Sequence, residues 1–453
     1  MALSKDEQIQ KLESLLAAAL ATIEQQAIRI SELEKEVARL SVKKSSNNSS
    51  LPPSMDLSRK NQSLRCSSGR PKGGQIGHKG YHLPLKEHAD TVINLSPDFC
   101  KECGEDLRYV PEVMAGRRQL VDIPVVKPMY TEYRQFLKVC LCCHKQQSGQ
   151  YPKDVTNHIQ YGRNVQSMVV YNWVSQFLPF ERLKQWFSDI FNLSLSKGTL
   201  ENIIRKASRL AQPSYEQIQQ RLLSSPCIGA DETGMKVNKK KEWIWVWQTP
   251  SLTFLRCSPN RGSATIDALF PNGFMQSILI SDRWRAQLGT SAAGHQLCLA
   301  HLLRDLNFII EVEPICNTAT KIKEVLQKGI NHKRLYPETQ KDDENCINIE
   351  REMDRVLNDM IDESQFPLTV KIQKSLLLYR NHVFEFLYNA NVPFENNASE
   401  RSIRMVKVKQ KISGCFKSLQ QDFCVLKSVI DTEIKNQQSA MKTIQSLFLI
   451  PTR

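Results

Sequence analysis

No run of residues in this chain is apolar for the roughly 20 positions that a membrane-crossing helix needs, so no membrane partner is expected. No charged segment followed by an apolar one opens the sequence, and no secretion signal is expected either. Acidic side chains are in deficit: 47 Asp and Glu stand against 61 Lys and Arg, a net charge of +14. An imbalance of that size favours a polyanionic partner, most often nucleic acid. An even set of cysteines is missing as well. Thirteen of them in 453 residues, without a secretion signal, point to a reducing cytosol and to thiols or metal sites instead of a disulfide framework. Proline and glycine are absent from Ile9 to Leu40, which leaves one uninterrupted helix as the natural reading.

A hydrophobic fraction of 41% supports real cores, and the length allows several domains of roughly 100–200 residues. In the leader a heptad places Ile9, Leu16, Ile23, Ile30 and Val37 at a, and Leu12, Ala19, Gln26, Leu33 and Leu40 at d. β-Branched residues at a with Leu at d favour a parallel pair of helices. Residues 6–41 are therefore expected to form a coiled coil that makes a homodimer, or a higher oligomer, since Leu15 and Leu20 widen the apolar face. Residues 42–90 read as a flexible basic linker rich in Gly, Ser and Pro. Within it Gly69-Arg70-Pro71-Lys72 resembles segments that lie in a narrow minor groove, which makes Arg70 and Lys72 candidate DNA contacts.

Cys100-Lys101-Glu102-Cys103 and Cys140-Leu141-Cys142-Cys143 are two CxxC knuckles separated by a loop. Cys100, Cys103, Cys140 and Cys143 fit a tetrahedral structural Zn²⁺ site in a zinc ribbon over 91–155, with 119–124 and 131–135 as its short strands. Residues 160–222 read as helical, with Ser196 a candidate N-cap, Pro213 a stop signal, and either a helix-turn-helix or a plain spacer as the outcome.

From 223 the pattern changes. Cys227 to Asp231 is a short apolar strand ending in an aspartate, and Ser277 to Asp282 is another. Between them lie two more strands, around Trp243–Trp247 and Thr253–Cys257, and a helix over Arg261–Leu269. After Asp282, His295 to His301 leads into a helix holding Leu302, Leu306 and Phe308, and three strands, a helix, a strand and a helix is the order expected of an RNase H-like core. In that fold the first and fourth strands are neighbours, so Asp231 and Asp282 should converge. A buried aspartate at a strand tip is usually paired or metal-bound. Downstream, Asn396-Asn397-Ala398-Ser399-Glu400 opens a helix along which Arg401, Arg404, Lys407 and Lys411 share roughly one face. With Asn397 as N-cap, Glu400 would sit at a capping-box position. Two readings of Glu400 stay open, a cap and a metal ligand. Three carboxylates can hold two Mg²⁺ (or Mn²⁺) roughly 4 Å apart and clamp both oxygens of an in-line phosphoryl transfer.

In order along nearly the whole chain, these motifs resemble the insertion sequence 66 family of bacterial DDE transposases. The resemblance rests on the leader coil, Gly73-Gly74-Gln75-x-Gly77-His78-x-Gly80, the double CxxC, Tyr161-Gly162, Ser196-x-Gly198-Thr199 and Asp231-Glu232-Thr233. It continues through Cys298-x-x-His301, Asn396-Asn397-x-x-Glu400-Arg401-x-x-Arg404 and Lys411-x-Ser413-Gly414. It implies that Asp231, Asp282 and Glu400 are the catalytic, Mg²⁺-binding triad, with Glu232 and Glu395 as decoys. Cys298 and His301 would support them, and Arg401, Arg404, Lys407 and Lys411 would track DNA phosphates. It also implies action on terminal inverted repeats and target DNA in the bacterial cytoplasm, at the nucleoid, and small accessory proteins of the same element as partners. The expected fold is multidomain α+β: coiled coil, zinc ribbon, helical DNA-binding region, and an RNase H-like α/β catalytic core over 223–420. That core carries a helical insertion at about 313–390, and a helical tail follows over 421–453. The competing functions are a DNA-binding regulator with an inert core and a plain RNase H-like nuclease.

Overall fold

The computed structural model describes residues 5–42, 45–49, 77, 83–124, 126–338 and 343–449. In chain order the elements begin with α1 (Lys5–Ser41), β1 (Leu137–Val139), β2 (Gln146–Ser148), α2 (Arg163–Val174), α3 (Phe180–Phe191) and α4 (Lys197–Leu223). Then come β3 (Cys227–Val237), β4 (Lys240–Gln248), β5 (Thr253–Ser258), α5 (Ser263–Leu269), β6 (Phe274–Ser281), α6 (Arg285–Leu288), β7 (Ala292–Leu297) and α7 (Leu299–Val312). The insertion supplies α8 (Asn317–Leu335), α9 (Glu344–Leu357), α10 (Pro367–Leu378) and α11 (Glu385–Tyr388); α12 (Asn397–Ser413), α13 (Gln420–Lys435) and α14 (Ala440–Leu447) follow. No described helix is long and apolar enough to cross a membrane.

The chain divides into two compact units, residues 60–131 with 190–192, and the remainder. The first knuckle lies in the smaller unit and the second in the larger. Each is the same turn. Cys100 N–H donates to Glu105 O and Gly104 N–H returns to Cys100 O; Cys140 N–H donates to Lys145 O and His144 N–H returns to Cys140 O. Both turns need a left-handed residue, supplied by Gly104 (φ 78°) and His144 (φ 54°). The strands expected at 119–124 and 131–135 do not form; the ordered pair is β1 with β2, which flank the second knuckle. Leu120, Val121 and Ile123 stay exposed, so no buried face exists there to fix a strand. Arg70 and Lys72 lie outside the described residues.

In the larger unit α1 is one helix of 37 residues. Leu16, Ile23, Ile30, Leu33, Val37 and Leu40 of its heptad are exposed in the single chain. Ser196 caps α4, its side chain accepting from Thr199 N–H. Pro213 does not end that helix, which runs on to Leu223. Pro213 and Arg209 face solvent, where water can serve the carbonyl that the missing N–H leaves free.

The sheet has the order β5-β4-β3-β6-β7. The first three strands in sequence are antiparallel, and β6 runs parallel to both β3 and β7. The first and fourth of these strands, β3 and β6, are neighbours, as expected of an RNase H-like core. The β3–β4 hairpin turns on Asn238 and Lys239, both at positive φ, as a tight two-residue turn between twisted strands requires. Trp245 and Trp247 stack at 5.7 Å inside the sheet's packed layer. On edge strand β5, the outward N–H groups of Thr253 and Leu255 are taken by the hydroxyls of Thr432 and Ser428 on α13. An edge that would otherwise recruit another strand is thereby closed. On the other side Ile278, Ile280, Leu302 and Leu306 form one apolar cluster with Ile322, Val325, Phe384 and Phe386. The insertion is thus continuous with the core, and buried Gln296 of β7 pins it by bonding both Val383 O and Phe386 N–H.

Candidate active site

Parallel pairing sets the first two carboxylates. Gly229 of β3 stands opposite Ile280 of β6, and two residues further along each chain come Asp231 and Asp282. The register therefore brings them to the same level, Asp282 just past the end of β6 and Asp231 partway along β3, which does not end there as its apolar run suggested but continues to Val237 in its pairing with β4. Burial, followed by the negative charges of Asp282 and Glu232, pushes the Asp231 carboxyl well above the usual carboxylate range. Its one hydrogen bond within the strand, from Glu232 N–H at 2.8 Å, opposes this.

Helix α12 brings the third. Its N-cap is Asn396, not Asn397, and no side chain caps it, so the capping-box reading fails by one position. The Asn396 amide instead donates to Ala230 O at 2.7 Å, and Asn396 Oδ1 accepts from Ser399 Oγ at 2.6 Å. Its backbone N–H donates to Cys298 Sγ at 3.2 Å. Such an approach needs a glycine below it. A Cβ on Gly229 would sit 2.5 Å from Asn396 Oδ1 and 2.7 Å from Ser399 Oγ, so a side chain there would push the helix off the strand.

Free of capping, Glu400 reaches across to α7. Its Oε1 accepts from Arg304 Nη2 at 3.2 Å and lies 3.6 Å from His301 Nε2. The other ring nitrogen, His301 Nδ1, is 2.8 Å from Asp282 Oδ1 but off the line of a hydrogen bond, and both atoms are buried. One imidazole therefore stands between the second and third carboxylates. Burial disfavours the charged ring, but Asp282 and the Cys298 sulfur outweigh it and push His301 upward. Asp282, Cys298 and His301 offer ligand atoms within 4.8 Å of one another. The buried Asp282 oxygen without a donor, beside an aspartate that resists ionisation, is an arrangement that a hard cation would satisfy.

The neighbouring acids are differently placed. Glu232 follows Asp231, so it projects from the opposite face of β3. Its Oε1 is bound by Arg261 at 2.8 Å and its Oε2 by Gln287 at 2.5 Å. Arg261 lies 3.8 Å over Trp284 and 4.8 Å over Trp243, so Glu232 is already balanced by a stacked guanidinium. Glu395 is half-buried just before α12. Arg283 turns away from Asp282 to pair with Asp305 of α7 and to donate to Ser375 of α10.

The basic face of α12 is not uniform. Arg401, Arg404 and Lys411 are exposed. Lys407 is half-buried, its ammonium on Gly234 O at 2.5 Å. Lys409 is buried, donating to Trp173 O at 2.9 Å under the Trp173 ring, and burial pulls its pKa down to about 7. Reasoning from the sequence missed Arg304, Gly229, Asn396 as an anchor, and the Arg261–Glu232 pair. Only Arg304 left a signal, three residues after His301 and so on the same helical face.

No curated protein matches this chain. Among solved structures it is similar to the HTLV-2 integrase catalytic core domain in complex with magnesium (trimeric form), at 12% identity over 35% of this chain and 95% of that one. The TM-score is 0.14, and a likeness of that score carries no weight for fold or chemistry. The profile of the transposase IS66 family matches residues 158–421. That stretch runs from α2 through the sheet and the insertion to the start of α13, and it contains every carboxylate of the site: the chain belongs to the transposase IS66 family.

Proposed function

We propose that the protein is a DNA transposase that cuts and joins the ends of its own element, with Asp231, Asp282 and Glu400 holding divalent metal. The observation that carries this reading is the convergence on His301 of Asp282 and Glu400, with Asp231 at the same level on the adjacent strand. Bound there, a pair of Mg²⁺ or Mn²⁺ ions would supply the positive charge that lowers the pKa of attacking water and stabilises the leaving oxygen. The chain's own residues do the rest. Asn396 and Gly229 set the distance of α12 from β3, His301 orients Asp282 and Glu400, and Arg304 holds Glu400 Oε1. Arg401, Arg404 and Lys411, on the exposed side of α12, contact backbone phosphates and position the DNA without reading its sequence. Water displaces one strand at the element terminus and frees a 3′-hydroxyl. That hydroxyl attacks a target phosphodiester and releases a new 3′-hydroxyl in the target.

Around this centre the zinc ribbon and the leader serve assembly. In each knuckle, backbone N–H groups face the first sulfur. Those of Cys103 and Glu102 lower the Cys100 pKa, and those of Cys143 and Cys142 lower that of Cys140. Thiolate is the metal-binding form, so Cys100 with Cys103, and Cys140 with Cys143, each make a pair suited to zinc. The exposed heptad of α1 suits a second copy of the chain.

The test is an assay of the full protein on the DNA ends flanking its own gene, with Mg²⁺. Cleaved and joined products from the wild type, and bound but unprocessed ends with Glu400→Gln, are expected. Cleavage without joining would turn the reading to a nuclease, and intact ends with the wild type would turn it to a regulator.

A further inference from the structure

The insertion holds a second cluster that the reaction does not use. His332 lies in the last turn of α8, Asp343 is the N-cap of α9, and Cys346 lies in the first turn of α9. Their ligand atoms lie within 4.8 Å of one another. Asp343 divides its work. Oδ1 caps the helix, accepting from Asn345 N–H at 2.8 Å and Cys346 N–H at 3.2 Å. Oδ2 takes no part in the cap and stands 3.5 Å from His332 Nε2. That nitrogen is buried and has no hydrogen-bond partner, and the His332 side chain is only 9% exposed. Cys346 is fully buried.

A simple His–Asp pair would close to a normal hydrogen bond, because a buried polar atom left unpaired costs about 1–3 kcal/mol. The pair stays apart, with a sulfur as its third corner. Tetrahedral zinc, with ligands at about 2.0–2.3 Å, needs roughly 3.5 Å between ligand atoms, the spacing His332 Nε2 and Asp343 Oδ2 already have. One thiolate and one imidazole select a borderline-soft ion over Mg²⁺.

We propose that His332, Asp343 and Cys346 form a zinc site that clips α8 to α9 at the outer corner of the insertion, with the fourth position open to water. It joins the two ends of the α8–α9 connection and so fixes the corner of a unit whose other face packs on α7.

The experiment measures zinc per chain by elemental analysis of full-length protein purified without chelator. It compares the wild type, Cys100→Ser/Cys103→Ser, and each of these with Asp343→Asn or Cys346→Ser added. Asp343→Asn is the informative change, since Asn caps a helix as well as Asp does but removes the anionic ligand. The ribbon-deficient chain should keep one zinc, and adding Cys346→Ser should remove it. Asp343→Asn should weaken Zn²⁺ binding by roughly tenfold or more with the circular dichroism spectrum unchanged. With Co²⁺ in place of zinc, the thiolate-to-metal absorption of the ribbon-deficient chain should vanish on Cys346→Ser. A wild type with a single zinc that only Cys346→Ser removes would support this site and sink the ribbon. Zinc content and affinity unaltered by both insertion variants would overturn the proposal, whatever the ribbon holds.

Discussion

Asp282, Cys298 and His301 meet at the end of the central sheet, and His332, Asp343 and Cys346 meet in the insertion. The residue types are the same, so the difference lies in what surrounds them. At the sheet the sulfur is already engaged, accepting the Asn396 N–H, and two further carboxylates, Asp231 and Glu400, come from β3 and α12. The histidine there stands between anions. In the insertion Asp343 faces a buried sulfur and an unpaired imidazole nitrogen, and the neighbouring Glu350 is paired with Arg380. Oxygen-rich surroundings suit a hard ion with an exchangeable water shell, and a corner of one N, one S and one O ligand suits zinc. Ligand identity alone does not choose the metal; the neighbours do.

The largest break in this comparison should come from Gly229→Ala. The new methyl has no room beneath Asn396 and Ser399. Overpacking of this kind costs about 1–3 kcal/mol, and a shift of α12 by about 1 Å should lower cleavage on the order of 10²-fold. Zinc content should not change, because nothing in the insertion touches Gly229. Thermal denaturation with single-turnover cleavage checks both arms; full activity would mean that the α12 contact with β3 is not what sets the site.

Next in size is the response to Mg²⁺ and pH. Asp231 holds its proton more tightly in the fold than in the open chain, because of burial and then Asp282 and Glu232. Its contribution to stability is complete at low pH and is lost as pH rises from the ordinary carboxylate range through its raised value. A cation can replace that proton. The Mg²⁺-induced rise in Tm should therefore be small near pH 5 and larger near pH 8, worth about 2.7 kcal/mol at a hundredfold excess over Kd. Asp231→Asn should make the gain independent of pH. A pH-independent gain in the wild type would show that Asp231 is not part of the ion's site.

The smallest effects separate the cations of α12. Losing exposed Arg404 to Ala should flatten the salt dependence of end binding by roughly one unit of slope. Lys407→Ala should barely change that slope, since its ammonium serves Gly234 O. Glu395→Gln should be close to silent in cleavage. Equal slopes for the two cation variants would return Lys407 to the phosphate track.

Much of this was legible in the chain itself, for physical reasons. The apolar run ending in Asp282 reveals a strand tip, and strand neighbours follow from the order of elements; the run ending in Asp231 marks only the first half of a strand that continues through polar residues to Val237. The i,i+3 step from His301 to Arg304 shows a shared face. Other features leave no local trace. β7 escapes notice because Ala292-Ala293-Gly294-His295-Gln296 lacks the β-branched and aromatic residues that mark strands. The helix stop expected at Pro213 fails because an exposed proline leaves its unpaired carbonyl to water. Asn396 and Asn397 are equally good caps on paper, and only the carbonyl of Ala230 chooses between them. Glu232 and Arg261 meet across a strand and a loop, beyond any periodicity. His332, Asp343 and Cys346 are separated by a helix end and a connection that no spacing rule spans.

Three carboxylates from β3, β6 and α12 should share one metal centre. Mn²⁺ titration of the full protein, followed by electron paramagnetic resonance, measures this without DNA. Tight binding of Mn²⁺ by the wild type, weakened alike by Asp231→Asn, Asp282→Asn and Glu400→Gln with the fold intact, is the predicted result. Mn²⁺ binding indifferent to Glu400→Gln would contradict it and leave Glu400 as a partner of Arg304 alone.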